Sequence, residues 1–213
     1  MNRTQTETNQ LARLRTIAPI VPYVSVIIGM YLLQSAWAAL LLYQAQMAIV
    51  LSFEGQWHHI GALTRCRKMR LVAVAGVMMF SGIALIGLAP LLGLTQSLAT
   101  TASRFGLAGN HWLPFILCFS FTNGWMEEIY WRGYLGSPSR RLCWFDLWFA
   151  GYHALVLALF VDWWWALAAV LVLIGAAWSW RQSAHHSDGL LVNAVSHIGA
   201  DLSILLAVWV VIG

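Results

Sequence analysis

Two adjacent carboxylates and an arginine interrupt a stretch of this sequence that is otherwise apolar. Residues 112–135 read WLPFILCFSFTNGWMEEIYWRGYL, and Glu127, Glu128 and Arg132 are their charged members. An ionised Glu in the middle of a lipid-facing helix is costly, so such groups normally face a bundle interior or a wet cavity. On one helix Glu128 and Arg132 share a face, whereas Glu127 points about 100° away. We therefore expect Arg132 to neutralise Glu128 and to leave Glu127 free for chemistry.

Two further pairs of polar or aromatic residues have helical spacing inside apolar sequence. Phe149 precedes His153 by four residues in FAGYH, and His197 precedes Asp201 by four in HIGAD. Residues at this spacing lie on one helical face, and Asn193 joins the face of His197. Three separate helices are thus predicted to carry ionisable or hydrogen-bonding side chains into the membrane.

Glu127, His153 and His197 are predicted to lie at one depth in the membrane. Counted from the cytoplasmic ends of their helices at about 1.5 Å per residue, all three lie roughly 10–15 Å deep. Glu and His can supply the general base, the oxyanion stabiliser and the proton donor that peptide hydrolysis requires. The alternative is a purely structural role, in which these residues form ordinary interhelical hydrogen bonds. Ionisable groups from three helices at one depth favour a functional cluster.

The composition predicts an all-α integral membrane protein. The 213 residues are 60% hydrophobic and only 9% charged, whereas about 25% of the residues in a soluble domain are charged. The net charge of +4 is typical of loops that face an anionic lipid leaflet, and we expect no nucleic-acid partner. Three scattered cysteines do not indicate a disulfide framework.

The apolar runs predict about seven membrane spans. The sequence from Thr16 to Phe53 carries no charge and is too long for one span, so two spans, 17–33 and 36–52, fit better. The further predicted spans are 71–93, 112–135, 143–160, 163–180 and 189–212.

Seven spans place nearly all of the basic residues on one side, which the positive-inside rule makes cytoplasmic. The polar segment 1–16 is then cytoplasmic, and Trp178 and Trp180 are expected at the inner membrane interface. We expect a single bundle domain over residues 1–213, in the inner (cytoplasmic) membrane of a bacterium.

The three motifs together resemble those of a known family. EE-x-x-x-R at 127–132, F-x-x-x-H at 149–153 and H-x-x-x-D at 197–201 are similar in order and spacing to the motifs of the CPBP intramembrane proteases. This family includes CAAX prenyl-protein endopeptidases and bacteriocin-processing or self-immunity (ABI-type) proteins. The resemblance covers about residues 112–205, the motif-bearing core. The chain departs from the family at Asp201, where Asn is more usual.

The resemblance implies a glutamic-type endopeptidase that works without a bound metal on a membrane-associated peptide or protein. Glu127 would act on a water with help from His153, and His197 and Asp201 would lie on the side of the developing oxyanion. We further expect Asp201 to accept a hydrogen bond from His197 and to fix its tautomer. Glu128 completes the catalytic set, and the supporting residues are Arg132, Phe149 and Asn193.

Other functions remain open at this point. Two histidines and a Glu are also the ligand set of catalytic zinc sites, so a zinc enzyme with Glu127, His153 and His197 as ligands is the metal-dependent alternative, although no HExxH motif is present. A non-catalytic protein that binds a membrane peptide or confers bacteriocin immunity is a second alternative. A small proton-coupled transporter is a third, but the repeated halves typical of transporters are missing from the sequence.

Overall fold

The computed structural model describes residues 14–66, 76–92 and 94–212, and all regular structure in these ranges is helical. Short 3₁₀ helices at Gln56–Thr64 and Val77–Phe80 lie between the longer elements. The longer helices are α1 (Leu14–Leu32), α2 (Ala36–Phe53), α3 (Ser81–Leu88), α4 (Leu94–Arg104), α5 (112–134), α6 (Trp144–Leu157), α7 (Trp163–Ser187) and α8 (Leu191–Ile212).

The surface of the bundle carries large apolar side chains, whereas two acids lie inside it. Leu171, Val172 and Val210 are 62%, 73% and 67% exposed, whereas Glu127 and Glu128 are completely buried. Four helices of the described chain, α1, α2, α7 and α8, are long and apolar enough to cross a membrane. An apolar outside suits lipid, and helices satisfy their own backbone hydrogen bonds there. The predicted class, an all-α multi-pass integral membrane protein, is confirmed.

The chain breaks between α1 and α2 where the sequence predicts a turn. Gln34 has a positive φ of 49°, which ends α1. Ser35 then begins α2 as its N-cap, because its hydroxyl accepts a hydrogen bond from the Ala38 amide at 3.2 Å. The long uncharged run from Thr16 to Phe53 is therefore two helices.

Several later helices differ in length from the predicted spans. α6 has 14 residues, about 21 Å of helix, which is shorter than the apolar core of a bilayer. α7 ends at Ser187 and not at residue 180. Residues 71–75 and 93 of the predicted span 71–93 lie outside the described residues. The total of seven spans and the cytoplasmic N terminus stay predictions.

α5 and α8 cross closely at Gly124. A Cβ atom at this position would lie 2.8 Å from Cγ1 and 3.3 Å from the backbone nitrogen of Ile198, so a larger residue does not fit without a shift. α5 also contains π-helical stretches at Phe119–Asn123 and Glu128–Tyr134, on both sides of Glu127. Such stretches are frequent at functional sites. The crossing brings the acids of α5 against α8 next to His197.

Candidate active site

Glu127 lies where α5, α6 and α8 meet and has no exposed surface. Its Oε1 accepts a short hydrogen bond from the Tyr152 hydroxyl of α6. Its Oε2 lies 3.3 Å from Nε2 of His197 on α8. Two other helices therefore hold this one carboxylate.

Glu128 uses one oxygen for two partners. Oε1 lies 3.2 Å from Nη1 of Arg132 on the same helix, so the predicted i, i+4 pair is present. The same oxygen lies 2.9 Å from Nδ1 of His197. The sequence interpretation assigned separate surroundings to the two acids, but in the structure both converge on the imidazole of His197.

Arg132 is held between two aromatic rings. Its Cζ lies 4.2 Å from the ring centroid of Phe149 and 4.9 Å from that of Trp180. A guanidinium on an aromatic face is stabilised by about 0.5–2 kcal/mol, depending on its hydration. Phe149, expected as a supporting residue, thus contacts the charge that neutralises Glu128.

The His197 ring is fixed on its faces as well as at its nitrogens. Trp180 stacks on it with ring centroids 4.6 Å apart and planes 17° apart. The Trp180 indole nitrogen in turn donates to the Ser196 hydroxyl at 2.9 Å. Trp180 is only 7% exposed, so its ring packs inside the cluster and does not face lipid, and its depth at the inner membrane interface stays a prediction.

His153 reaches the cluster through Tyr152. The two rings stack with centroids 4.0 Å apart, and Tyr152 is the hydrogen-bond donor to Glu127. Nδ1 of His153 lies 2.9 Å from the Phe149 carbonyl oxygen, one helical turn earlier. A carbonyl oxygen can only accept, so this contact places the proton on Nδ1 and leaves the Nε2 lone pair free.

Asp201 and Asn193 lie beside His197 but do not orient its ring directly. Oδ2 of Asp201 is 3.7 Å from Nε2 of His197, which is longer than a hydrogen bond. Glu128 approaches His197 more closely than Asp201 does, because its Oε1 lies 2.9 Å from Nδ1, so the contact expected of Asp201 is made by Glu128. Asn193 is fully buried, and its amide donates to the Trp180 carbonyl at 2.6 Å, which ties α8 to α7.

A second buried ion pair borders the cluster. Nη2 of Arg181 on α7 lies 2.6 Å from Oδ2 of Asp146 on α6. Arg181 also donates to the Arg141 carbonyl at 2.7 Å, which fixes the loop between α5 and α6. A cavity of about 10 Å³, lined by Arg132, Asp146 and Arg181 among others, has room for about one water.

The sequence interpretation missed Tyr152, Trp180 and Tyr43. Tyr152 stands inside the FAGYH motif, and a Tyr in an apolar span needs a partner for its hydroxyl, which was the available signal. Tyr43 belongs to α2, in a part of the chain that carries no motif, and it accepts a hydrogen bond from the Trp131 indole nitrogen at 3.0 Å. Neither Tyr43 nor Trp180 has a sequence signal that separates it from ordinary core aromatics.

The residues of the zinc alternative, Glu127, His153 and His197, each contact other protein groups in the structure. Among the described His, Cys, Asp and Glu side chains, no three are placed to hold one metal ion. Both nitrogens of His197 face carboxylate oxygens, whereas a metal ligand needs one nitrogen lone pair for the metal. The predicted ligands His153 and Glu127 are instead both engaged with Tyr152.

Comparison with known proteins identifies one family. Residues 109–203 match the family model described as type II CAAX prenyl endopeptidase Rce1-like. No curated protein and no solved structure matches the chain. The matched segment contains all three motifs and, apart from Tyr43, every residue placed in the cluster above. Over this segment the chain is similar to the Rce1-like CAAX prenyl endopeptidases, which supports the CPBP/CAAX family that the three motifs resemble.

Proposed function

We propose that this protein is an intramembrane endopeptidase in which Glu127 activates a water for attack on a peptide carbonyl. The observation that carries the proposal is the contact of Glu127 with both Tyr152 and His197 inside a buried cluster. A carboxylate in poorly solvated surroundings, held by a hydrogen bond from α6 and an ion-pair contact with α8, has the fixed position that a general base requires.

The two oxygens of Glu127 have different roles in this mechanism. Tyr152 holds Oε1, and Oε2 takes a proton from the attacking water. The hydroxide formed adds to the carbonyl carbon of the substrate and gives a tetrahedral oxyanion. Collapse of that intermediate breaks the C–N bond, the proton passes from Glu127 to the leaving amine, and the carboxylate is regenerated.

His197 is the group that stabilises the oxyanion. Its two ring nitrogens face Glu127 and Glu128, and both can donate only when the ring is protonated. The charged ring then offers its Nε2 proton to the oxyanion, while Glu128 holds the Nδ1 proton. Arg132 offsets the charge of Glu128 and has no contact with the reacting atoms in this scheme.

His153 is a second base beside the first. The contact of Nδ1 with the Phe149 carbonyl directs the Nε2 lone pair away from the helix backbone. In this state the neutral imidazole can accept a proton from the water at Nε2 and, once protonated there, can pass that proton to the leaving amine. Its stacking on Tyr152 keeps it next to the donor that holds Glu127.

Water and substrate reach the cluster from the side of the loop between α5 and α6. The cavity between Arg132 and Arg181 supports this path, because it has room for about one water and three charged side chains line it beside apolar ones. The positive-inside rule predicts that this side is cytoplasmic. The family description names prenylated CAAX tails as the substrate class, so a membrane-anchored C-terminal tail is the first substrate to test.

Comparison of membrane proteomes tests the proposal. Cells that express wild-type protein, Glu127→Ala or Asp162→Ala are compared for protein termini in their membrane fractions. Asp162→Ala is the matched control, since it removes an exposed carboxylate next to the start of α7. We expect at least one protein terminus that is present with wild-type protein and with Asp162→Ala and is absent with Glu127→Ala. Identical sets of termini in all three samples would contradict a protease function.

A further inference from the structure

We infer that Tyr43 of α2 is a positioning residue for Glu127 and acts through a relay of buried hydroxyl groups. The inference rests on the proposed function and extends its site beyond the matched residues 109–203. Tyr43 is 5% exposed, and its ring packs against that of Tyr152 with centroids 5.5 Å apart. The helix that carries Tyr43 has no catalytic motif, so this contact is its contribution to the site.

The Tyr43 hydroxyl has one contact whose direction is fixed. The Trp131 indole nitrogen lies 3.0 Å from the Tyr43 oxygen, and an indole N–H can only donate. The Tyr43 oxygen is therefore the acceptor in this bond. Its own proton has to point to a different acceptor, because a buried hydroxyl that leaves its proton without a partner is destabilising.

The acceptor that we assign to the Tyr43 proton is the oxygen of Tyr152. The rings of Tyr43 and Tyr152 pack with centroids 5.5 Å apart, and both side chains are buried. The Tyr152 hydroxyl donates its own hydrogen bond to Oε1 of Glu127. In the relay the proton of Tyr43 is donated to the Tyr152 oxygen, so the donors run in one direction, from Trp131 through Tyr43 and Tyr152 to Glu127.

Such a relay holds the carboxylate more firmly than one hydrogen bond does. Aligned hydrogen bonds polarise one another and strengthen each other in surroundings of low dielectric constant. The members of the relay are also fixed by packing, since Trp131 is 3% exposed and its ring lies parallel to that of Tyr152, at an interplanar angle of 11°. A catalytic base needs a position defined to about 0.5 Å, which this support can provide.

Tyr43→Phe tests the relay, because it removes the hydroxyl and keeps the ring. Tyr31→Phe is the matched control: Tyr31 lies in α1 and donates to the Leu155 carbonyl at 2.7 Å, outside the cluster. The probe is a quenched fluorogenic peptide that spans the cleavage site dependent on Glu127, used with purified protein in lipid nanodiscs. We expect Tyr43→Phe to lower kcat about tenfold with little change in KM, and Tyr31→Phe to alter neither.

Double variants distinguish a relay from independent contacts. If Tyr43 acts through Tyr152, Tyr43→Phe combined with Tyr152→Phe is no slower than Tyr152→Phe alone, whereas independent effects multiply. Melting temperatures of the single variants show that each is folded, and an unchanged KM shows that the site still binds the peptide.

The outcomes separate the inference from the proposed function. Wild-type kcat for Tyr43→Phe, or multiplied effects in the double variant, overturns the relay when Glu127→Gln is inactive. Cleavage of the same peptide by Glu127→Gln overturns the proposed function and the relay with it.

Discussion

Oε1 of Glu128 lies 2.9 Å from Nδ1 of His197 on the neighbouring helix, and the same oxygen lies 3.2 Å from Nη1 of Arg132 on its own helix. One buried carboxylate oxygen thus links a guanidinium on α5 to an imidazole on α8. The charge of Arg132 is compensated through this oxygen, and the orientation of the His197 ring depends on it. Glu128 is therefore the residue on which both the stability and the geometry of the cluster depend.

Glu128→Gln is expected to lower stability as well as activity. The amide leaves Arg132 as a buried cation without its counter-charge, and breaking a buried ion pair in this way costs about 3–5 kcal/mol. Thermal unfolding in detergent micelles measures the loss. Removing both partners in Glu128→Gln/Arg132→Met is expected to recover part of the stability and none of the activity. A Glu128→Gln protein as stable as wild type would show that the ion pair contributes nothing.

Glu127→Gln is expected to abolish cleavage in a folded protein. The amide keeps the shape of the side chain and can still accept from Tyr152, but it cannot take a proton from water. The control is Asp188→Asn, the same chemical change at an exposed residue whose left-handed backbone Asn tolerates. Peptide cleavage by the two purified variants is compared with wild type. Substantial turnover by Glu127→Gln would remove this residue from the mechanism.

Part of the candidate site could be predicted from the sequence, because charged residues are rare in apolar segments. Glu127, Glu128 and Arg132 are conspicuous in a membrane span, and the i, i+4 rule predicts the pair of Glu128 and Arg132 directly. The break between α1 and α2 was predictable from length, because one helix over residues 16–53 would be far longer than the bilayer is thick.

The contacts between helices were not predictable in the same way. Periodicity assigns a residue to a face of its own helix and does not say which helix packs there. Glu128 and not Asp201 approaches His197 because α5 and α8 cross at Gly124, which depends on three-dimensional packing. Trp180 stands at the end of a predicted span, where tryptophans often mark the membrane interface. Only the structure shows that its ring stacks on His197.

Removal of metal ions is expected to leave activity intact. In the proposed mechanism His197 keeps both of its nitrogens for Glu127 and Glu128, and a glutamic-type enzyme needs no metal. Purified protein is treated with a chelator, its zinc content is measured, and peptide cleavage is assayed before and after. If stoichiometric zinc and activity are lost together and zinc restores both, the metal-dependent alternative is correct.

Substitutions of Asp201 are expected to have graded effects. At 3.7 Å from Nε2 of His197 its carboxylate acts through charge more than through a hydrogen bond. Asp201→Asn keeps the volume of the side chain and can donate to an oxyanion, so this variant should retain partial activity with an altered pH profile. Asp201→Ala should lose most of the activity. Rates across the pH range and melting temperatures are the measurements. Wild-type rates for Asp201→Ala at every pH would make Asp201 a buried polar residue without a part in catalysis.

Gly124→Ala is expected to impair cleavage although it removes no functional group. The added methyl would lie 2.8 Å from Cγ1 of Ile198, so α5 and α8 must move apart where Glu127 and Glu128 meet His197. A shift of about 1 Å at such a site can lower the rate about 100-fold. Gly175→Ala is the control, because a methyl there meets no atom within 4 Å and the helix gains about 0.5–1 kcal/mol from losing a glycine. Peptide cleavage and thermal unfolding of both variants are compared with wild type. Equal activity of Gly124→Ala and Gly175→Ala would show that catalysis does not depend on the close crossing of α5 and α8.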